Sequence, residues 1–147
     1  MEKVADLLTR KYPQFNTAIS DSLVSDALYQ MCCENADYLI IMQDDKFKGV
    51  ITDHDIASKI LFENRPLNKI CVKEFMNTSL PVATPETSLQ NCMQLMERFN
   101  VRHVAIYDNF EFKGVISTYD LMQEALHRPT EFFSEAETAL QGYPWNY

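Results

Sequence analysis

The sequence predicts an α+β fold in which two similar β-α-β-β-α units pack about a pseudo-twofold axis. Three observations predict it: an internal repeat with a constant offset of 65 residues, apolar stripes with helical spacing, and pairs of β-rich apolar runs separated by polar turns. A single unit would leave one face of its sheet in water and be marginal alone, whereas two units packed face to face bury both sheets.

The repeat is clearest in two nearly identical segments. Residues 47–56 (FKGVITDHDI) match residues 112–121 (FKGVISTYDL), and the same offset continues backward without a gap to pair Asn35 with Asn100. The two segments hold two of the three glycines in the chain. So few glycines leave no GxGxxG or Walker-type loop, which excludes the nucleotide folds built on those loops.

Each unit is expected to begin with a short extended segment, 17–19 in the first copy and 81–84 in the second, followed by a helix. Apolar residues at positions i, i+3, i+4 and i+7 predict that helix. These residues are Val24, Ala27, Leu28 and Met31 in the first copy, and Leu89, Cys92, Met93 and Met96 in the second.

Two β-rich runs on either side of a polar turn then predict an antiparallel hairpin in each unit. The runs are 38–42 with 47–51, and 103–107 with 112–116. A second helix is expected to start at Thr52 and at Ser117. Its apolar residues are Ile56, Ile60 and Leu61 in one copy, and Leu121, Met122 and Leu126 in the other.

These elements divide the chain into three parts. Residues 1–62 hold the first unit with a lead-in helix, and residues 63–128 hold a linker, a short helical segment near 69–76 and the second unit. Residues 129–147 form an acidic, aromatic tail outside the repeat. Disordered acidic tails are usually poor in aromatics, so a docked helix over 130–140 is expected, with a loose terminus as the alternative.

Composition excludes several classes of protein. The 147 residues carry a net charge of −8, which argues against broad binding to a nucleic-acid backbone. No apolar run approaches the ~20 residues that span a bilayer, and the N-terminus lacks the apolar core of a signal peptide. The four cysteines show no CxxC spacing, as in reduced intracellular proteins. We expect a cytoplasmic protein with no nucleic-acid or membrane partner.

Catalytic signatures are also missing from the sequence. Neither GxSxG nor HExxH occurs, and the three histidines leave little material for a catalytic dyad or a metal cage. We therefore expect a protein that is not an enzyme, has no metal site and requires no cofactor.

The two Gly-Val-Ile-Thr/Ser-x-x-Asp segments resemble the CBS (cystathionine-β-synthase) domain, here as a tandem pair or Bateman module. Residues 76–89 are similar to the first strand region of such a domain, and residues 102–108 (RHVAIYD) to its second strand. The resemblance covers about residues 3–127. It implies an adenosyl ligand (AMP, ADP, ATP or S-adenosylmethionine) in clefts between the paired domains and frequent dimers, and it does not imply catalysis.

Thr52 with Asp55, and Ser117 with Asp120, have two interpretations. A hydroxyl residue followed three positions later by an acid resembles a capping box, which satisfies free N–H groups of the first helical turn. With the family resemblance, the aspartate suits the two hydroxyls of a ribose, and the hydroxyl side chain and helix N-terminus suit a phosphate. The two roles can coexist.

Arg102 and His103 precede the second strand of the second copy, where related proteins place cations that reach nucleotide phosphates. A guanidinium offers a fixed fork of donors to a phosphate, and an imidazole adds charge near or below pH ~6.5. The alternative is a solvated Arg102 and a His103 ring packed on the sheet. Tyr119 could stack on a base or simply pack.

The charges rank the two clefts. The sequence predicts that a nucleotide binds first beside Asp120, in a cleft with Ser117, Arg102 and His103. The cleft beside Asp55 is ranked second because Asp37 and Asp53 would repel a phosphate there. Asp120→Ala should then abolish most binding and Asp55→Ala should spare it. AMP, ADP or S-adenosylmethionine is favoured over ATP.

Two functions follow from these features. The first is a regulatory module that senses an adenosyl ligand and signals to a downstream protein of unknown identity. The alternative is a ligand-free CBS pair that serves as a dimerisation or docking scaffold. In either case we expect a homodimer that packs through apolar helix faces, which hold Met31, Cys32, Met93 and Met96.

Overall fold

The structure is a computed structural model that describes residues 2–11 and 15–127. The predicted tail helix at 130–140 lies outside the described residues. The helices of the described residues are all too short or too polar to cross a membrane. The expected cytoplasmic location stays a prediction.

The order of elements repeats once along the chain. After a lead-in helix, α1 (Val4–Lys11), the first unit contains β1 (Thr17–Ile19), α2 (Val24–Glu34), β2 (Tyr38–Gln43), β3 (Lys46–Thr52) and α3 (Asp53–Asp55), which continues as a π-helical turn, Ile56–Ile60. Two 3-10 turns follow, at Leu67–Lys69 and Val72–Glu74. The second unit contains β4 (Val82–Ala83), α4 (Leu89–Phe99), β5 (His103–Asp108), β6 (Glu111–Ser117) and α5 (Thr118–His127).

The two sheets have the same topology and the same register. Each has three strands, with the first parallel and the third antiparallel to the central one. Ile41 lies opposite Gly49, and Ile106 lies opposite Gly114, with the register shift directly after Ile41 and Ile106 in each hairpin. The predicted α+β fold of two β-α-β-β-α units is confirmed.

Left-handed backbone positions explain part of the repeat. Asn35 and Asn100 both cap a helix C-terminus at φ 51°, in a conformation that asparagine tolerates better than most side chains. The hairpin turns also have positive φ, at Asp44–Asp45 and at Asn109–Phe110. Such values are typical of two-residue turns whose twist matches the flanking strands.

The segment that precedes each unit in the sequence, here called its lead-in segment, packs on the other unit. Val4 and Leu7 of α1 are buried in the core of the second unit. Ile70 and Val72, which precede the second unit in sequence, are buried in the core of the first. The sequence assigned α1 to the first unit, but its apolar face packs against the second because that is where an uncovered core lies.

A third apolar layer joins the two sheets. Ile40, Val50 and Val115 are buried there, and the rings of Phe47 and Phe112 stack at 4.3 Å with an interplanar angle of 8°. Because these two phenylalanines are equivalent in the repeat, their stacking places the pseudo-twofold axis between them. The contact buries the sheet face that a single unit would leave in water.

Several local expectations need correction. The first unit continues its second helix as a π turn, so Ile56 and Ile60 are buried while Leu61 is exposed. In α5, Leu121 is buried, but Met122 and Leu126 are exposed. Met31 and Met96, predicted on an exposed dimer face, are instead buried in the two cores; Cys32 and Met93 are exposed. The helical segment near 69–76 is formed by two short 3-10 turns.

Candidate functional site

The first cleft is built on the turn from β3 into α3. Thr52 Oγ1 accepts a hydrogen bond from the Asp55 backbone N–H at 2.9 Å, and Asp55 Oδ2 accepts one from the Thr52 N–H at 3.1 Å. The capping-box interpretation of this pair is therefore confirmed. Asp55 Oδ1 also accepts from Lys59 Nζ at 3.1 Å, one helical turn further on. The Lys59 side chain is 54% exposed, whereas that of Asp55 is 10% exposed.

Both units line this cleft, which has a volume of about 350 Å³. The first unit contributes Asp37 and the turn from Thr52 to Lys59. The second contributes Asn77 and Leu80 ahead of β4, and residues 100–103 ahead of and at the start of β5. A molecule bound here would contact both repeats at once.

The charges around the first cleft are mixed. Asp37, Asp53 and Asp55 line it together with Lys59 and Arg102. Apart from the histidines, three acids face two bases, which leaves one net negative charge. Arg102 has no carboxylate partner among the ion pairs of the described residues, so its guanidinium can serve an anionic group.

His103 forms part of the inner wall of this cleft. The residue is only 6% exposed, its Nε2 atom has no hydrogen-bond partner within the described residues, and its ring lies 4.4 Å from the Tyr38 ring. Burial lowers the pKa of His103 to about 4. Burial therefore favours a neutral imidazole at pH 7, in line with the alternative of a ring packed on the sheet rather than a cation for phosphate. The imidazole can still exchange a hydrogen bond with a ligand.

The second motif closes on itself in the same way. Asp120 Oδ2 accepts from the Ser117 N–H at 2.8 Å and from Ser117 Oγ at 3.0 Å, and Ser117 Oγ accepts from the Asp120 N–H at 3.2 Å. Lys11 Nζ of α1 donates a further hydrogen bond to Asp120 Oδ2 at 2.6 Å. The repeat therefore places equivalent carboxylates in equivalent caps, but with lysines from different elements.

A second cleft of about 570 Å³ lies beside this motif. Its cations are Arg10 and Lys11, and both are paired, because Arg10 bonds Glu2 and Glu124 while Lys11 bonds Asp120. Tyr119 lines the cleft and is 60% exposed, so it does not pack in the core.

Comparisons with known proteins match this geometry to one family. The family model described as "CBS domain" matches residues 72–127, the second unit. A solved CBS-domain structure, NE2398, superposes with a TM-score of 0.79 at 28% identity, over 86% of this chain and 99% of that one. This match extends over both units. The second unit is a CBS domain, and the whole chain has the fold of a CBS pair.

Curated relatives agree with the assignment. The CBS domain-containing protein YhcV of Bacillus subtilis is 28% identical over 121 residues, which cover 82% of this chain and 84% of that protein. The mitochondrial CBS domain-containing protein CBSX3 of Arabidopsis thaliana is 27% identical over 128 residues, 84% of this chain. The aligned region spans 62% of the plant protein's length. CBS-domain proteins are in general regulatory or signal-transduction modules.

The CBS pair divides the predicted site residues between two clefts. Thr52, Asp55, Arg102 and His103 line the first, and Asp120 and Tyr119 line the second, with Ser117 bonded to Asp120. The predicted grouping of Arg102 and His103 with Asp120 is wrong. The N-terminal ends of β2 and β5 lie side by side near the pseudo-twofold axis. The side chains ahead of β5 therefore face the motif of the other repeat.

Sequence reasoning missed the two lysines that contact the aspartates. Lys59 was detectable, since it stands four residues after Asp55 on the same helical turn. Lys11 was not, because 109 residues separate it from Asp120. Among residues 2–11 and 15–127, no cluster of three or more potential metal ligands occurs. Burial raises the pKa of the Cys92 thiol to about 11, so this thiol is unreactive at neutral pH.

Proposed function

We propose that this CBS pair is a regulatory module that binds an adenosyl ligand in the first cleft and signals its presence to another protein. One observation carries the proposal: the cleft joins the Thr52–Asp55 helix start of one repeat to Arg102 and the unpartnered Nε2 of His103 from the other. A ligand that bridges them would change how the two repeats sit against each other, and this is what a regulatory module requires.

Each part of an adenosyl ligand has a partner in this cleft. The Asp55 carboxylate suits the two ribose hydroxyls. It is available to them because its present partner, Lys59, has an exposed side chain that can turn away. Leu80 and Val101 offer apolar contact for a base. Arg102 suits a phosphate or a carboxylate, and a neutral His103 suits a polar group that carries no charge.

The charge of the cleft favours some ligands over others. Three carboxylates and two cationic side chains line it, so a triphosphate would bring strong repulsion into a partly dry space. AMP, ADP and S-adenosylmethionine carry less negative charge, and the sulfonium of S-adenosylmethionine is attracted by the acids. We therefore rank ATP last among these ligands, as the sequence already predicted.

The ranking of the clefts is reversed relative to the sequence prediction. That prediction grouped Arg102 with Asp120; the presence of Arg102 in the lining of the same cleft as Asp55 supports the reversed ranking. The acids Asp37 and Asp53 do line the first cleft as expected, but Lys59 and Arg102 offset two of the three negative charges there.

Isothermal titration calorimetry with AMP, ADP, ATP and S-adenosylmethionine tests the proposal. Asp55→Asn keeps an acceptor for the Thr52 N–H cap but removes the charge, and it should weaken binding at least tenfold. Asp120→Asn is the matched control at the equivalent position and should leave the affinity within twofold. Loss of binding in Asp120→Asn with normal affinity in Asp55→Asn would contradict the assignment of the site.

A second candidate function is a ligand-free scaffold, and one observation favours it. The chain's own Lys11 pairs with Asp120, so the carboxylate of the second cleft has a cationic partner without any ligand. If none of the four ligands raises the melting temperature at millimolar concentration, the scaffold is the better description, because a ligand at 100 times its Kd adds ~2.7 kcal/mol of stability.

We also propose that the CBS pair forms a homodimer. A groove between α4 and α5, lined by Met93, Met96 and Leu121, carries Met122 as an exposed apolar side chain 62% accessible to solvent. Met93 is 46% exposed beside it. A second copy that packs on this groove would remove both methionines from water, and flexible methionines adapt readily to such a contact.

A further inference from the structure

Lys11 is held by three acceptors in the second cleft. Its ammonium donates to Asp120 Oδ2 at 2.6 Å, to the Tyr38 hydroxyl at 2.6 Å and to the Val115 carbonyl at 3.0 Å. An ammonium group has three protons, so every donor of Lys11 is used within the protein. Lys11 therefore has no N–H left to donate to a phosphate. Asp120 Oδ2 accepts from Ser117 as well as from Lys11.

The contact is largely withdrawn from water. The side chains of Lys11 and Asp120 are 12% and 17% exposed, and the ammonium lies 5.2 Å from the Tyr38 ring centroid and 5.5 Å from that of Phe15. Charges in such surroundings attract more strongly than exposed pairs. A ribose that took over Asp120 Oδ2 would have to break this ion pair and leave the ammonium without its counterion.

The first cleft has no equivalent of Lys11. The residue 65 positions further on is Met76, which has no charge. Asp55 instead bonds Lys59 at 3.1 Å, and that lysine is 54% exposed on the same helix as the aspartate. The Asp55 side chain is itself only 10% exposed, but the exposed lysine can turn into solvent and leave the pair at little cost. The two equivalent carboxylates therefore differ in how easily a ligand can displace their lysine partners.

We propose that Lys11 is a built-in occupant of the second cleft, which makes that cleft a latent adenosyl site and limits the CBS pair to one ligand per chain. The lysine comes from α1, which packs by Val4 and Leu7 on the second unit, so withdrawal of α1 is the movement that would free Asp120. This inference rests on the proposed adenosyl ligand, and the experiment separates the two claims.

Calorimetry with AMP and with S-adenosylmethionine measures the number of sites. The wild-type chain should bind one ligand. Lys11→Met should bind two. Methionine is similar in length to lysine and is the residue found 65 positions further on, at Met76. Lys73→Met is the matched control, because it also removes a lysine from an aspartate, Asp21, but lines neither cleft, and it should still bind one. Two sites in the wild type, or one site in a folded Lys11→Met variant, would overturn the inference.

Amide NMR of the wild-type chain tests the same point without relying on a variant. Saturating AMP or S-adenosylmethionine should shift the amide signals of Thr52 and Asp55 and leave those of Ser117 and Asp120 in place. Shifts at Ser117 and Asp120 that match those at Thr52 and Asp55 would overturn the inference even if Lys11→Met fails to fold.

The results also distinguish this inference from the proposed function. A wild type that binds nothing, together with a Lys11→Met variant that binds one ligand beside Asp120, refutes binding in the first cleft and supports the role of Lys11. If neither protein binds either ligand, both claims fail.

Discussion

Tyr38 and His103 occupy equivalent positions in the two repeats, and their rings meet with centroids 4.4 Å apart and planes tilted by 54°. Tyr38 begins β2 and His103 begins β5. The Tyr38 hydroxyl accepts from Lys11 at the second cleft, while His103 lines the first. The ring pair therefore stands between the two clefts, with one member facing each. Burial and the nearby Asp120 raise the pKa of Tyr38, so its hydroxyl stays protonated.

His103 should make the protein sensitive to acid. Its pKa is about 4 when folded because the ring is buried, against ~6.5 in an unfolded chain. Between these values the unfolded chain binds a proton that the folded one does not, so the free energy of unfolding falls as the pH drops. The loss from pH 7 to pH 4 should approach ~3 kcal/mol from this residue. Urea denaturation at several pH values measures it.

The matched variant for this prediction is His103→Phe, which keeps a ring against Tyr38. It should unfold with a shallower dependence on pH below 6.5 than the wild type. An equally steep loss of stability in His103→Phe would show that other groups cause the acid sensitivity.

Phe47 and Phe112 should be energetically coupled. Their rings stack at 4.3 Å across the pseudo-twofold axis, and such a pair contributes ~0.5–1.5 kcal/mol beyond its buried area. A double-mutant cycle with Phe47→Leu and Phe112→Leu should return a coupling of this size in urea denaturation. A parallel cycle that pairs Phe47→Leu with Phe62→Leu, at a position 81% exposed, should be additive. Additivity in both cycles would mean that the stack adds nothing beyond burial.

Gly49 and Gly114 should not tolerate a side chain. A Cβ at Gly49 would overlap the backbone carbonyl of Asn77, and one at Gly114 would lie 2.5 Å from the Phe15 ring at a φ of +151°. Alanine at either position should cost ~2 kcal/mol or more. Gly49→Ala should be the worse, because Asn77 also pairs with Val50 and cannot shift as a side chain can.

The control for both glycines is Lys48→Ala, at an exposed position of the same strand as Gly49. It should change the free energy of unfolding by less than ~0.5 kcal/mol. Wild-type stability in Gly49→Ala would show that the two segments can separate at this point without loss.

The proposed dimer should depend on the α4–α5 groove. Light scattering at micromolar concentration should return twice the chain mass of 17.1 kDa for the wild type. The double variant Met93→Asp/Met122→Asp should return the monomer mass, because it places charges on an apolar contact. Phe110→Ser removes a fully exposed ring elsewhere and should leave the dimer intact. A wild-type mass of 17.1 kDa would refute the dimer itself.

The repeat in the sequence was sufficient to predict the elements of the fold. Equivalent segments have the same spacing of apolar side chains, so the hairpin and helix patterns found in one half also predicted the elements of the other. The capping roles of Thr52 and Ser117 were also accessible, because a capping box is local and spans four residues. Asn35 and Asn100 repeat for an equally local reason, since both end a helix in the left-handed conformation.

The composition of the clefts was not accessible in the same way. An offset of 65 residues relates equivalent positions, but it does not say which repeat a given strand end faces. Arg102 was therefore assigned to the motif of its own repeat, and Lys11 was not considered. The neutral state of His103 follows from burial beside Tyr38, a contact between residues 65 positions apart that no local pattern reports.

The exchange of lead-in segments has a consequence for how the chain is made. The first repeat lacks Ile70 and Val72 of its own core until the linker has left the ribosome. Val4 and Leu7, synthesised first, have no core to cover until Leu121 has emerged. The first repeat can therefore complete its core before the second is made, whereas the apolar face of α1 stays uncovered until the second repeat has emerged. Cutting the chain between the repeats would leave two halves, each of which carries a piece of the other.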